Sequence, residues 1–126
     1  MKLNLPLKIL IIFITLLIVL NFTDIFLTQI ILHYGGEEAN VRYEHFNTIG
    51  IRPIDYVLKI GSSFLMGVLM LFLYWISLQK NSRFGFITAY VILIGLNIFY
   101  SFVVVHNIQI LIIQKQIWEN CNILIT

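Results

Sequence analysis

Charged residues are scarce in this chain. Asp, Glu, Lys and Arg together make up 11% of its 126 residues, whereas 60% are hydrophobic. A soluble domain of this length needs a polar shell, and so few charges cannot supply one. The composition therefore excludes an ordinary soluble domain and predicts a single transmembrane domain over residues 1–126.

Cysteine is almost absent, and neither sign of charge dominates. Cys121 is the only cysteine, which excludes an internal disulfide, and we interpret it as an incidental residue. A net charge of +2 is too small to indicate nucleic-acid binding. The partners we expect are the lipid bilayer and larger membrane protein subunits.

Motifs for catalysis and for metal binding are missing as well. The chain contains no HxxxH or HExxH spacing, no Cys pair, no Gly-rich phosphate loop and no nucleophile elbow. Histidines and acids do occur near the expected outer surface, but we interpret them as surface or interface residues: His33, Glu37, Glu38, Glu44, His45 and His106. We expect no metal and no cofactor, and the sequence favours a protein without catalytic activity of its own.

Long apolar runs, by contrast, are abundant. A helix needs about 20 mostly apolar residues to cross a bilayer, and its backbone groups must be satisfied within the helix. The spans are predicted at about residues 7–33, 54–79 and 84–114, with an external loop at 34–53 and a C-terminal extension at 115–126. The predicted fold is all-α, an integral membrane three-helix bundle with antiparallel neighbours.

The ends of the runs carry recognisable signals. Gly35 and Gly36 are expected to end the first helix, because glycine tolerates the left-handed cap conformation. Pro53 suits the first turn of the second helix, where its missing N–H costs nothing. The first run is longer than a secretory signal and no small-residue cleavage site follows it, so we interpret it as a retained span.

Positive charges suggest an orientation in the cell membrane. Lys2 and Lys8 precede the first span, and Lys80 and Arg83 lie between the second and third. Because cytoplasmic segments carry an excess of Lys and Arg, the N-terminus is predicted to be cytoplasmic and the C-terminus outside. The bias is small, since the opposite side also carries Arg42, Arg52 and Lys115.

Each predicted helix has one polar face. Positions advance by about 100° per residue, which places Asn21, Asp24 and Thr28 within an arc of about 60° on the first helix. Similar stripes on the other helices are expected to meet it at a shared seam or at a partner. The predicted intramembrane cluster comprises Asn21, Asp24, Thr28, Lys59, Asn97, Tyr100 and Asn107.

Depth points to specific contacts within that cluster. An acid exposed to lipid would cost about 2.5–3.5 kcal/mol even on a lenient insertion scale. Pairing Asp24 with Lys59, backed by Asn21 and Asn107, would relieve this cost. Two interpretations remain open: an interhelical ion pair that fixes packing, which we favour, or a proton relay, ion site or substrate pocket.

The order of these residues resembles an uncharacterised family of small three-span membrane proteins, found mainly in archaea. That family's pattern is an Asp and a Thr four residues apart, a Gly, a Glu-x-Asn-Pro loop and then a Lys. The matching residues are Asp24, Thr28, Gly35, Glu38, Asn40 and Lys59. Val41 stands where the family's proline would be, so a different turn is expected after Asn40. The resemblance implies that Asp24, Glu38, Asn40 and Lys59 belong together, and it implies no activity.

Three functional hypotheses follow. The leading one is a non-catalytic accessory or structural subunit of a larger membrane complex of respiratory, monooxygenase or transport type. The alternative is a small transporter, channel or proton-relay protein working through Asp24 and Lys59. Against it, residues 9–20 are apolar apart from Thr15, so no continuous water path is evident. A membrane enzyme with a pocket built from Asp24, Glu38, Lys59 and Tyr100 is a third hypothesis.

Overall fold

The computed structural model describes residues 5–36 and 50–125, and this part of the chain is entirely helical apart from its turns. Helix α1 spans Leu5–His33, α2 spans Pro53–Gln79 and α3 spans Phe84–Ile125. Each helix is long and apolar enough to cross a membrane. The predicted all-α class and the three apolar helices are confirmed. Glu38 and Asn40, the predicted loop residues, lie outside the described residues.

Local chemistry accounts for the helix ends. Gly35 adopts a positive φ of 84°, and the Gly36 N–H donates to the carbonyl of Ile31 at 3.0 Å, which closes the end of α1. At the start of α2, the backbone N–H of Arg52 donates to Asp55 Oδ2 at 2.8 Å, while Pro53 occupies the first helical position. Asp55 thus satisfies a backbone donor at the end of the helix where a negative charge is favoured.

The core runs along the contact between the helices, and α1 packs against both α2 and α3. Its buried members come from all three helices: Leu10, Leu17, Met70, Tyr74, Ala89 and Leu93. Helix α2 approaches α1 closely at Gly67, where an added Cβ would lie 2.5 Å from Ile14 Cγ2. A larger residue at this position would have to push the two helices apart.

Ser77 fixes the turn that joins α2 to α3. Its hydroxyl donates to the carbonyl of Ser82 at 2.7 Å and accepts the N–H of Phe86 at 2.8 Å. One side chain therefore satisfies a turn carbonyl and one of the free N–H groups of the α3 N-terminus. Asn81, in the same turn, has a φ of 50°, a conformation that asparagine tolerates better than most residues.

Helix α3 continues unbroken from the predicted span into the predicted C-terminal extension, as far as Ile125. Trp118 lies against the end of α1, with its ring centroid 6.4 Å from that of His33 and 6.2 Å from that of Tyr34. The end of α1 is therefore held by aromatic contacts with α3.

Candidate functional site

The carboxylate of Asp24 is the meeting point of the three helices. Lys59 Nζ, from α2, donates to Asp24 Oδ2 in a salt bridge. Asn107 Nδ2, from α3, donates to Asp24 Oδ1 at 2.5 Å. We call these three residues the central cluster. Each carboxylate oxygen has a donor from a different helix, so one acid links the whole bundle.

Helical spacing places these side chains at the seam. Asp24 shares the buried face of α1 with Asn21 and Thr28, three and four residues away, which is the spacing of neighbours on one helix face. Lys59 lies in the second turn of α2. Asn97 and Asn107 each donate a hydrogen bond to α1, so both amides lie on the α3 side that faces α1.

Burial makes the ion pair of the central cluster energetically important. The side chains of Asp24 and Lys59 are only 9% and 14% exposed. Removing two charges from water is costly, and the cost is repaid only if each charge is paired and hydrogen-bonded. The loss of either side chain would therefore break a buried ion pair, which is destabilising.

Asn21 and Thr28, also predicted for this cluster, bond to the backbone of α1. Asn21 Nδ2 donates to the carbonyl of Leu17 at 3.0 Å, and Thr28 Oγ1 donates to the carbonyl of Asp24 at 2.9 Å. Asn21 therefore lies one turn below the carboxylate without donating to it. Thr28 therefore bonds to the backbone of Asp24, whose side chain forms the ion pair.

Asn97 provides a separate link between α1 and α3. Its Nδ2 donates to the carbonyl of Leu93 at 2.8 Å and to that of Phe13 at 3.1 Å. Its Oδ1 is buried without a partner among the described residues. Asn97 thus crosslinks two helices at a level well away from the central cluster.

A small pocket, lined by both apolar and polar side chains, lies next to the central cluster. It has a volume of about 190 Å³ and takes its walls from all three helices. The hydroxyls of Ser62 and Ser63 both donate to the carbonyl of Lys59, at 2.9 and 3.2 Å. The lining residues are Leu17, Asn21, Ser62, Ser63, Met66, Leu96 and Tyr100. Tyr100 therefore belongs to the pocket wall.

The pocket is large enough for several water molecules by volume, since water takes about 30 Å³ in the liquid. Within residues 5–36 and 50–125, no three His, Cys, Asp or Glu side chains come together in a way that could hold a metal ion. The chemistry available at this site is that of one ion pair, amides and hydroxyls.

A model of a domain of unknown function, DUF5658, matches residues 15–114. The chain belongs to the DUF5658 family. The match includes every residue of the central cluster and of the pocket, and it confirms the predicted resemblance to an uncharacterised family. No curated protein and no solved structure matches the chain.

One interhelical contact in this DUF5658 domain was missed from the sequence. The Tyr56 hydroxyl donates to Gln29 Oε1, which joins the start of α2 to the end of α1. Tyr56 precedes Lys59 by three residues, a spacing that places both on one face and could have indicated the contact. Gln29 carried no such signal, because its side chain is exposed and lies beside the polar stripe of α1.

Proposed function

We propose that this protein is an integral membrane protein that serves as a non-catalytic accessory or structural subunit of a larger membrane complex. In the proposed topology the three helices cross the cell membrane as antiparallel neighbours. Lys8, Lys80 and Arg83 lie at one end of the bundle, and this supports a cytoplasmic N-terminus and an external C-terminus.

The observation that carries the structural role is that each oxygen of the Asp24 carboxylate has a donor from within the bundle. Both carboxylate oxygens are occupied, one by Lys59 and one by Asn107, so all three helices meet at one internal pair of charges. A polar network satisfied by its own bundle suits the role of fixing helix register. A catalytic or transporting acid, by contrast, must exchange partners during its cycle.

The surface of the bundle supports the accessory role. Large apolar side chains are exposed on each helix, among them Phe22 at 47%, Trp75 at 54% and Phe102 at 72%. Lipid covers part of this surface in the proposed topology, and the rest is available to neighbouring subunits. A respiratory, monooxygenase or transport assembly is the kind of complex we propose.

Native mass spectrometry tests the proposal. The protein would be purified from its own membranes in mild detergent, and co-purifying subunits would be identified. Stoichiometric recovery with larger membrane subunits is the expected result. Recovery without any other polypeptide would contradict the accessory role.

The Asp24→Asn variant separates the structural role from a relay. A structural role predicts weaker assembly, with any activity of the complex lost in proportion. Intact assembly with lost activity would instead assign Asp24 to proton or ion transfer. Thr15→Val is a suitable control, because this exposed hydroxyl bonds only within α1, to the carbonyl of Ile11.

A second function, a proton relay or small transporter, is favoured by the pocket beside the central cluster. Asn21, Ser63 and Tyr100 line a space that could hold water within one or two turns of the Asp24–Lys59 pair. Purified protein in vesicles containing a pH-sensitive dye would reveal proton flux under an imposed potential. Flux that disappears in Ser63→Leu, which fills the pocket, would support this second function, and the absence of flux would reject it.

A further inference from the structure

One stripe of α3 faces away from the rest of the bundle and contains unpaired polar groups. By the rule of about 100° per residue, its members fall within an arc of about 60°, nearly opposite Asn97. All of them are exposed. We call this stripe the outer face of α3; it consists of Gly95, Phe102, His106, Gln109 and Ile113.

The depth of this face makes its polar residues unusual. His106 is adjacent to Asn107, whose amide binds the buried Asp24. Exposed isoleucines continue beyond it, at Ile108 with 42% and Ile112 with 54% exposure. The apolar surface therefore extends past His106, and in the proposed topology its imidazole lies within the hydrocarbon layer.

Neither polar side chain of this face is satisfied by the bundle. Among the residues that the structure describes, His106 and Gln109 have no hydrogen-bond partner. Lipid chains offer none, and intramembrane ionisable side chains almost always face protein or a water-filled cavity rather than lipid. Another protein surface is the simplest source of partners.

The spacing of the face is that of packed helices. Gly95, Phe102 and Gln109 recur every seven residues, and so do His106 and Ile113. A seven-residue repeat keeps one seam turned toward a neighbouring helix. At Gly95 an added Cβ would meet nothing within 4 Å, so another backbone can approach this point closely.

Symmetry indicates what the neighbour is. Copies of one chain insert in the same direction, so a twofold axis along the membrane normal makes two α3 helices parallel and sets each residue of the seam opposite its counterpart. A neutral histidine carries one donor and one acceptor, and a glutamine amide carries both. His106 and Gln109 can therefore each bond to the same residue of a second copy.

We propose that the outer face of α3 binds the same face of a second copy, forming a parallel dimer within the membrane. This inference rests on the membrane insertion proposed above and is independent of the accessory role. A dimer can occupy a larger complex as two copies.

Cysteine cross-linking in native membranes tests the dimer. The background is Cys121→Ser, which removes the exposed native thiol. Phe102→Cys reports on the outer face, and Val19→Cys is the control. Val19 lies at the same level as Phe102, because Asp24 and Asn107 are in contact and each is five residues further along its helix. Both control and test positions are exposed, at 52% and 72%.

Oxidation is expected to produce a covalent dimer of twice the chain mass from Phe102→Cys and none from Val19→Cys. The dimer would be overturned by any of three results. These are equal cross-linking at the two positions, no cross-linking of Phe102→Cys, or cross-links from Phe102→Cys only to larger polypeptides. Carbonate extraction of the same membranes separates the two failures. A chain released by carbonate would overturn the membrane topology itself, whereas an inserted chain without cross-links would overturn the dimer alone.

Removing the polar groups provides a second readout. The variants His106→Leu and Gln109→Leu make α3 more apolar, so insertion is retained. If these groups bond across the interface, each substitution should weaken dimerisation by about three- to thirtyfold, measured by energy transfer between labelled copies in vesicles. Thr15→Val should leave it unchanged. Unchanged or tighter association of both leucine variants would show that these groups do not bond to a second copy and would overturn the proposed interface.

Discussion

Replacing Asp24 with asparagine removes the negative charge of the central cluster while keeping a side chain of nearly the same size. Lys59 would then be left beside a neutral amide, with its side chain 14% exposed. Breaking a buried ion pair by removing one partner typically costs about 3–5 kcal/mol. Lys59 lies in the second turn of α2, so its flexible stem can carry the ammonium toward the nearby helix end. We therefore expect Asp24→Asn to lower the free energy of unfolding by about 3 kcal/mol, the lower end of that range.

The double variant Asp24→Asn/Lys59→Met gives the sharper result. It removes both charges, and replacing a buried pair with uncharged residues of similar volume is often nearly neutral. The double variant should therefore be more stable than Asp24→Asn alone. For this to hold, the sum of the two single costs must exceed the double cost by more than the cost of Lys59→Met alone, which is about 3–5 kcal/mol for breaking a buried pair.

Reversible unfolding in mixed micelles measures these free energies. The fraction of a denaturing detergent is increased while helix content is followed by circular dichroism and the environment of Trp75 and Trp118 by fluorescence. If the destabilisation of the double variant equals the sum of the two single-variant values, Asp24 and Lys59 are energetically independent. The central cluster then does not stabilise the packing of the bundle. The pair Thr15→Val and Asp24→Asn should be additive and serves as the control.

Two further predictions use the same unfolding assay. Gly67→Ala should destabilise the bundle by about 1–3 kcal/mol, because the new methyl group would overlap Ile14. The control Gly61→Ala, whose added Cβ would meet nothing within 4 Å, should stabilise α2 by about 0.5–1 kcal/mol. Equal effects of the two variants would show that α1 and α2 do not approach closely at Gly67. Ser77→Ala should lower the free energy of unfolding by about 1–3 kcal/mol, because it leaves the N–H of Phe86 without its acceptor. Ser77→Thr keeps the hydroxyl and should retain most of the stability. If Ser77→Ala has no effect, the hydroxyl does not hold the turn.

The helices were predictable because their cause is local. Long apolar runs leave a chain few alternatives to helix in lipid. The glycines after α1 and Pro53 at the start of α2 mark ends that the structure also has. The contact between Asp24 and Lys59 could be predicted from the free-energy cost of leaving a charge unpaired in the membrane. A single acid and a single base at similar depth on polar faces have one economical arrangement.

The amide partners could be predicted only in part, because periodicity gives the face of a residue but not its rotamer. Asn21 and Asn107 were both predicted beside Asp24, and only Asn107 donates to it. Asn21 and Asn97 each donate to the carbonyl four residues earlier, at Leu17 and Leu93, a choice that any helical asparagine can make. Only Asn97 also reaches a neighbouring helix. Whether an amide reaches across depends on interhelical distance, which the sequence of one helix does not contain.

The wide sequence separation of the central cluster has a consequence for biosynthesis. Asp24 and Lys59 are 35 residues apart, and Asp24 and Asn107 are 83 apart. At about 5–20 residues per second, a ribosome needs about two to seven seconds to synthesise the chain from the acid to its counter-charge. In the proposed topology, α1 therefore reaches the insertion machinery with a carboxylate that has no partner. The acid becomes neutralised only once α2 has followed, so a nascent chain stalled before Lys59 carries an uncompensated charge that membrane quality control can recognise.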